Sequence, residues 1–187
     1  MDWNGEVVEQ IETHWHARLR PRLEGLTDDE YFWQPVDGCW TVARRGESKA
    51  PLSFGAGEFT WDYGDREDPE PVTTIAWRLG HLSSSLAQSC ARRFGGPPAD
   101  LATFEYAGTA DGALAQLDDY YGRWIDGVRS LGEDGLIRPQ GSPPAFADAP
   151  MARAIMYSNV ELVHHGAEIC LLRDLYLRFT RPGPGRP

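Results

Sequence analysis

The sequence predicts an all-α fold, a four-helix bundle with a long connection between its first and second helices. Three observations predict it. Four long segments keep apolar residues at spacings of three and four, alternating apolar runs are almost absent, and Pro- and Gly-rich connections separate the segments. With 187 residues, 41% of them hydrophobic, one domain over residues 1–180 can bury a sizeable core. Arg181-Pro182-Gly183-Pro184-Gly185 predicts a disordered tail over 181–187.

Around residues 5 to 24, Val7, Val8, Ile11, Trp15 and Leu19 mark one face of a first helix. Thr27-Asp28-Asp29-Glu30 reads as a capping box, Thr27 and Glu30 satisfying each other's free amides, so a short helix should start there. Residues 34 to 71 show no sustained period but carry Trp40, Phe54, Phe59, Trp61 and Tyr63, which predict a connection packed over the body. A second long helix should begin near Thr73-Thr74 and stop at Gly95-Gly96-Pro97-Pro98. A third, opened by Thr109, sets Leu114, Leu117, Tyr121, Trp124, Val128 and Leu131 on the clearest core stripe in the chain. The fourth follows Pro150 and runs to about Phe179.

Composition excludes several classes. A net charge of -10 repels a phosphate backbone, and no basic run interleaved with aromatics offsets it, so neither nucleic acid nor an anionic membrane is an expected partner. No apolar stretch has the roughly 20 residues of a membrane span, and Met1-Asp2-Trp3-Asn4-Gly5-Glu6 lacks the basic start of a signal peptide. A cytoplasmic location is the expectation, and the three widely spaced cysteines, Cys39, Cys90 and Cys170, suit reduced thiols there. Phosphate-loop, dinucleotide and Gly-x-Ser-x-Gly motifs are missing.

In a bundle the informative residues are polar ones on an apolar stripe. At about 100° per residue, one side of helix four carries Ala154, Ser158, Glu161, Leu162, His165, Glu168, Ile169, Leu172 and Tyr176. Its leucines and isoleucine face the core, so Glu161, His165 and Glu168 must be paired, protonated or bound to a cation. Glu161 and His165 are four residues apart, the spacing of a structural hydrogen-bonded pair and equally of two side chains gripping one ion. His81 groups with Thr74, Trp77, Ser84, Ser85 and Gln88, off the most apolar arc, which fits either a solvated residue or the wall of a polar cleft. Gly80 beside it would let another element approach closely. His14 flanks the apolar stripe of helix one, whereas His16 lies well off it. Cys90 and Cys170 fall on the far sides of their helices from His81 and His165.

Thr73-Thr74-Ile75-Ala76-Trp77-Arg78-Leu79-Gly80-His81-Leu82, Asn159-Val160-Glu161-Leu162-Val163-His164-His165-Gly166-Ala167-Glu168-Ile169 and Phe32-Trp33-Gln34-Pro35-Val36-Asp37-Gly38-Cys39-Trp40-Thr41-Val42 together resemble the DinB-like superfamily. The resemblance covers nearly the whole chain, and is to the actinobacterial branch that includes mycothiol-dependent enzymes. It implies a DinB-type bundle with one metal ligand on helix two and two on the last helix: His81, Glu161 and His165 by position. Many members have His where this chain has Glu161; the His, Glu, His version resembles mycothiol-dependent maleylpyruvate isomerases, whose metal is zinc. Because this chain ends soon after the bundle, it is expected to lack the extra C-terminal domain of those isomerases, so the resemblance implies their metal site and not their activity.

The resemblance thus implies a divalent metal, zinc or alternatively nickel, with mycothiol as co-substrate, in a thiol S-transferase acting on a small electrophile. Three protein ligands and an open position suit that chemistry. Glu168 is the candidate acid/base or ligand-orienting residue, or else the partner of an Arg, and His14, Trp40 and Trp77 are candidate pocket residues. Two other readings are a metal-dependent hydrolase or isomerase using a metal-bound water, and a non-catalytic metal- or ligand-binding, stress-related module with a homodimer as a candidate assembly.

Overall fold

The computed structural model describes residues 1–65 and 69–180; the expected tail over 181–187 lies outside the described residues. Asp2 caps the first helix by accepting from the Gly5 amide, and α1 spans Trp3–His14. The path then widens into a π-helical stretch, Trp15–Leu19, and tightens into a 3-10 turn, Arg20–Leu23. Pro21 accounts for the change of pitch, since it has no amide to donate backwards and its ring crowds the preceding turn. Next comes α2, Asp28–Tyr31, with both hydrogen bonds of the Thr27–Glu30 capping box in place.

Thr74 opens α3, Ile75–Phe94, by accepting from the Trp77 amide, and Gly95 ends it at φ 72°, a left-handed conformation that costs glycine little. Thr109 opens α4, Ala110–Ile137, in the same way, and α5 spans Met151–Thr180. On α4 the stripe from Leu114 to Val128 is buried as expected, Leu131 only partly. Trp15 stacks on Tyr121 at 3.8 Å, and Ile155, Leu162 and Ile169 of α5 close the same core.

The fold is mostly helical, and the expectation of an all-α chain is corrected by a small sheet within residues 34 to 71. Its strands, β1 (Val42–Arg44), β2 (Leu52–Phe54) and β3 (Phe59–Tyr63), pair antiparallel in the order β1-β3-β2, with Val42 opposite Trp61 and Ser53 opposite Asp62. Two strands are three residues long, and β3 partly inverts the usual pattern: Thr60 and Asp62 are buried along with Trp61, while Tyr63 is exposed. Phe59, Trp61 and Tyr63 do alternate with Thr60 and Asp62, but over five residues only, too short a run to announce a sheet whose other strands have three.

Asp62 explains the inversion. Its carboxylate accepts from the Thr41 amide at 2.9 Å and the Ser48 hydroxyl at 2.6 Å, and its carbonyl accepts from Trp77 Nε1 at 2.8 Å. Trp61 Nε1 in turn donates to the Trp77 carbonyl at 3.0 Å. The sheet is thus fastened onto the first turns of α3. Gly80 makes the close approach possible, because a Cβ there would stand 3.1 Å from Tyr106 and 3.2 Å from Trp61.

Candidate functional site

His81 from α3 and Glu161 and His165 from α5 converge. His81 Nε2 lies 3.2 Å from Glu161 Oε2, and His165 Nε2 lies 3.5 Å from the same oxygen. One nitrogen or oxygen from each of the three falls within 4.8 Å of the others, close enough to hold one ion. The two imidazole rings meet edge to face at 4.7 Å. All three side chains are partly buried, so the cluster occupies a cleft and not the dry core.

The other face of His165 is fixed. Nδ1 lies 2.6 Å from Glu168 Oε2, so it carries the proton and donates, leaving the Nε2 lone pair toward His81 and Glu161. Arg78, one turn before His81, pairs with that same Glu168 oxygen, while exposed His164 stands 3.5 Å from Oε1. Glu168 is therefore engaged on both oxygens and positions His165; the expected Arg partner is Arg78. Burial lowers the Arg78 pKa to about 10, which leaves it charged at neutral pH. The hydrogen bond from His81 holds Glu161 below the usual carboxylate range, against the opposing effect of burial.

His165 has a pH consequence. Burial, then the charges of His81 and Arg78, lowers its pKa to about 4, so the ring is a neutral imidazole at pH 7. In an unfolded chain the same ring takes up a proton near ~6.5. The metal-free fold keeps this residue's full contribution above about pH 6.5 and loses it progressively as the pH falls toward the folded value. Denaturant unfolding of chelator-treated protein should show stability falling from pH 7 to 4.5, with a shallower fall in His165→Asn; equal slopes would mean that the ring is not held neutral.

Aromatic rings wall one side. Trp77 stacks on His81 at 5.4 Å and 11°, Trp61 stacks on Trp77 at 4.8 Å, and Tyr106 stacks on Trp61 at 6.1 Å. Trp77, named from the sequence, thus stands against the cluster. Trp61 comes from the aromatic-rich connection, whereas Tyr106 and Arg78 carry no sequence signal of a neighbour so distant in the chain. The other two pocket candidates fall elsewhere. Trp40 is held by backbone bonds to residues 72 and 74 and its ring lies over Gly64, and His14 ends α1 with its buried Nε2 unpartnered. Neither lines the cavity that opens beside His81 and Glu161, of about 480 Å³, walled by Leu82, Leu86 and Leu162. No cysteine lines it among the described residues, and burial raises the thiol pKa of Cys39, Cys90 and Cys170.

Fold and site together define a mostly helical protein whose clustered His and Glu side chains, on two helices, could hold a divalent ion. The chain belongs to the DinB superfamily, whose family model matches residues 10–169. Neither the search of curated proteins nor that of solved structures gives a match. Among the described residues, no helix is long and apolar enough to cross a membrane.

Proposed function

We propose that this protein is a divalent-metal-dependent thiol S-transferase on a DinB-type four-helix bundle, a single domain over residues 1–180, with His81, Glu161 and His165 as ligands and zinc as the metal. One observation carries the reading: the Nδ1 of His165 is committed to Glu168 and its Nε2 faces His81 and Glu161, beside an open cavity. Two imidazole nitrogens and a carboxylate oxygen are a zinc donor set that leaves a position open. Members of this superfamily often bind divalent metals. When bound, the cation supplies the charge that ionises a thiol at neutral pH.

The chain's own residues do the rest. Glu168 and Arg78 hold His165 in one tautomer, Trp77 packs flat on His81, and the cavity admits the reactants. With no cysteine on the cavity wall, the thiol comes from outside, and by resemblance it is mycothiol, in the cytoplasm. The thiol sulfur bonds to an electrophilic carbon, the carbon's bond to its leaving group breaks, and the thiol proton goes to solvent.

The test is conjugation of a small thiol to chlorodinitrobenzene, followed by chloride release and product absorbance. Zinc-loaded protein should form conjugate well above the uncatalysed rate, and chelator-stripped protein should not. Equal rates in both would overturn the transferase reading, as would turnover that needs no thiol.

A further inference from the structure

The cavity beside the cluster has a second end of opposite character. His81 and Glu161 stand at one end, and at the other stand Arg92 and Arg93 of α3, about three turns on, and Arg153 of α5, about two turns back. Among the described residues that line it, Glu161 is the only acid. In a chain of net charge -10 many arginines find a carboxylate, as Arg20 finds Asp118 and Arg173 finds Glu30. These three have none among the described residues. Arg92 donates to Gln88 at 3.3 Å, Arg93 donates one nitrogen to Gln140 at 3.3 Å, and Arg153 lies over the Phe146 ring at 4.4 Å.

Arg93 is the least satisfied. Its Nε and Nη1 are shut off from solvent with no hydrogen-bond partner. A partly buried guanidinium with unmade hydrogen bonds is costly unless an acceptor completes it. Phe146 holds the Arg153 guanidinium flat by cation-π contact, which reduces the freedom lost when it grips a ligand.

We infer that this end of the cavity is a recognition site for an anionic oxygen group, a carboxylate or a phosphate, on the small molecule whose reactive end lies at His81 and Glu161. At ~1.5 Å of rise per residue the two ends are roughly 12 to 18 Å apart along the helices, less the reach of the arginine side chains. The molecule is therefore elongated, with an apolar middle against Leu82, Leu86 and Leu162. The assignment of the reactive end rests on the proposed function; the anion site does not.

Binding of octanoate, octyl phosphate and octanol to metal-stripped protein, followed by calorimetry, tests it without any metal. At least one anion should bind about 10-fold or more tightly than octanol, the scale of a hydrogen-bonded charge, and the tighter anion assigns the group. Raised salt should narrow the gap. Arg93→Gln should abolish the preference while octanol binding stays as it was. Arg153→Gln, at an exposed position, should reduce the preference without threatening the fold. No preference for either anion in the wild-type protein overturns the inference, as does a preference unchanged in both variants. A preference that persists in a protein unable to bind zinc keeps the anion site and removes the metal reading. With zinc loaded, 8-mercaptooctanoate should bind more tightly than octanoate; equal affinities would separate the reactive end from this site.

Discussion

Replacing His81 and His165 together by Ala is expected to lower bound zinc from about one ion per chain to less than about a tenth, since two of three protein ligands disappear. Metal content of protein purified without chelator measures this directly. The fold should survive: His81 and His165 are partly exposed, and Glu168 keeps Arg78 as its partner when His165 is gone. Added zinc should raise the melting temperature of the wild-type protein and leave the double variant unmoved. A ligand that binds only the native state adds about 4 kcal/mol at a thousand times its dissociation constant. Glu168→Gln keeps the shape but removes the charge opposite Nδ1, and should weaken zinc about 10-fold, the lower end of the effect of an outer partner. Equal zinc in wild-type and double variant would sink the ligand assignment, whatever the reaction.

Glu161 and His165 were readable in the sequence because helical spacing places both on a stripe that Leu162, Ile169 and Leu172 drive into the core, where an unexplained carboxylate is conspicuous. His81 was harder. Helical periodicity set it off the apolar arc of α3, and the structure gives the reason: its face meets Trp77 and Glu161 in a cleft, not the core. Only the family resemblance joined it to α5. Helix ends were legible wherever a local rule governs them, as at Thr27, Thr74, Thr109 and Gly95. The sheet was not, because two of its strands have three residues and the alternation of β3 runs over only five. Trp40 shows the limit of inference from aromatic content: the same loop sends Trp61 to the site and Trp40 over Gly64. Which aromatic goes where depends on strand register, which short strands do not disclose.

Glu30→Ala should be among the most destabilising substitutions away from the candidate site, at about 3 to 5 kcal/mol, the loss seen when one partner of a buried ion pair is removed. Glu30 is 3% exposed although charged. Its carboxylate accepts from Arg173 Nε at 3.0 Å and Nη2 at 3.3 Å while also closing the capping box with the Thr27 amide at 3.2 Å. One side chain therefore both starts α2 and fastens it to α5. Arg173 also donates to the carbonyls of Arg22 and Glu24, so without Glu30 it remains anchored as a cation with no anion beside it. At roughly 2 to 4 °C per kcal/mol for a chain of this size, the melting temperature should drop by about 6 to 20 °C. Asp118→Ala supplies the contrast: its bond to Arg20 is shorter, at 2.7 Å, but the pair is 30% and 42% exposed, and water takes up most of the loss. It should cost less than about 1 kcal/mol. Removing both charges, in Glu30→Gln with Arg173→Met, should recover part of the Glu30→Ala loss, because no unpaired charge is left under α2. Equal effects from Glu30→Ala and Asp118→Ala would mean that burial does not set the strength of these pairs, and that α2 is held by its apolar contacts alone.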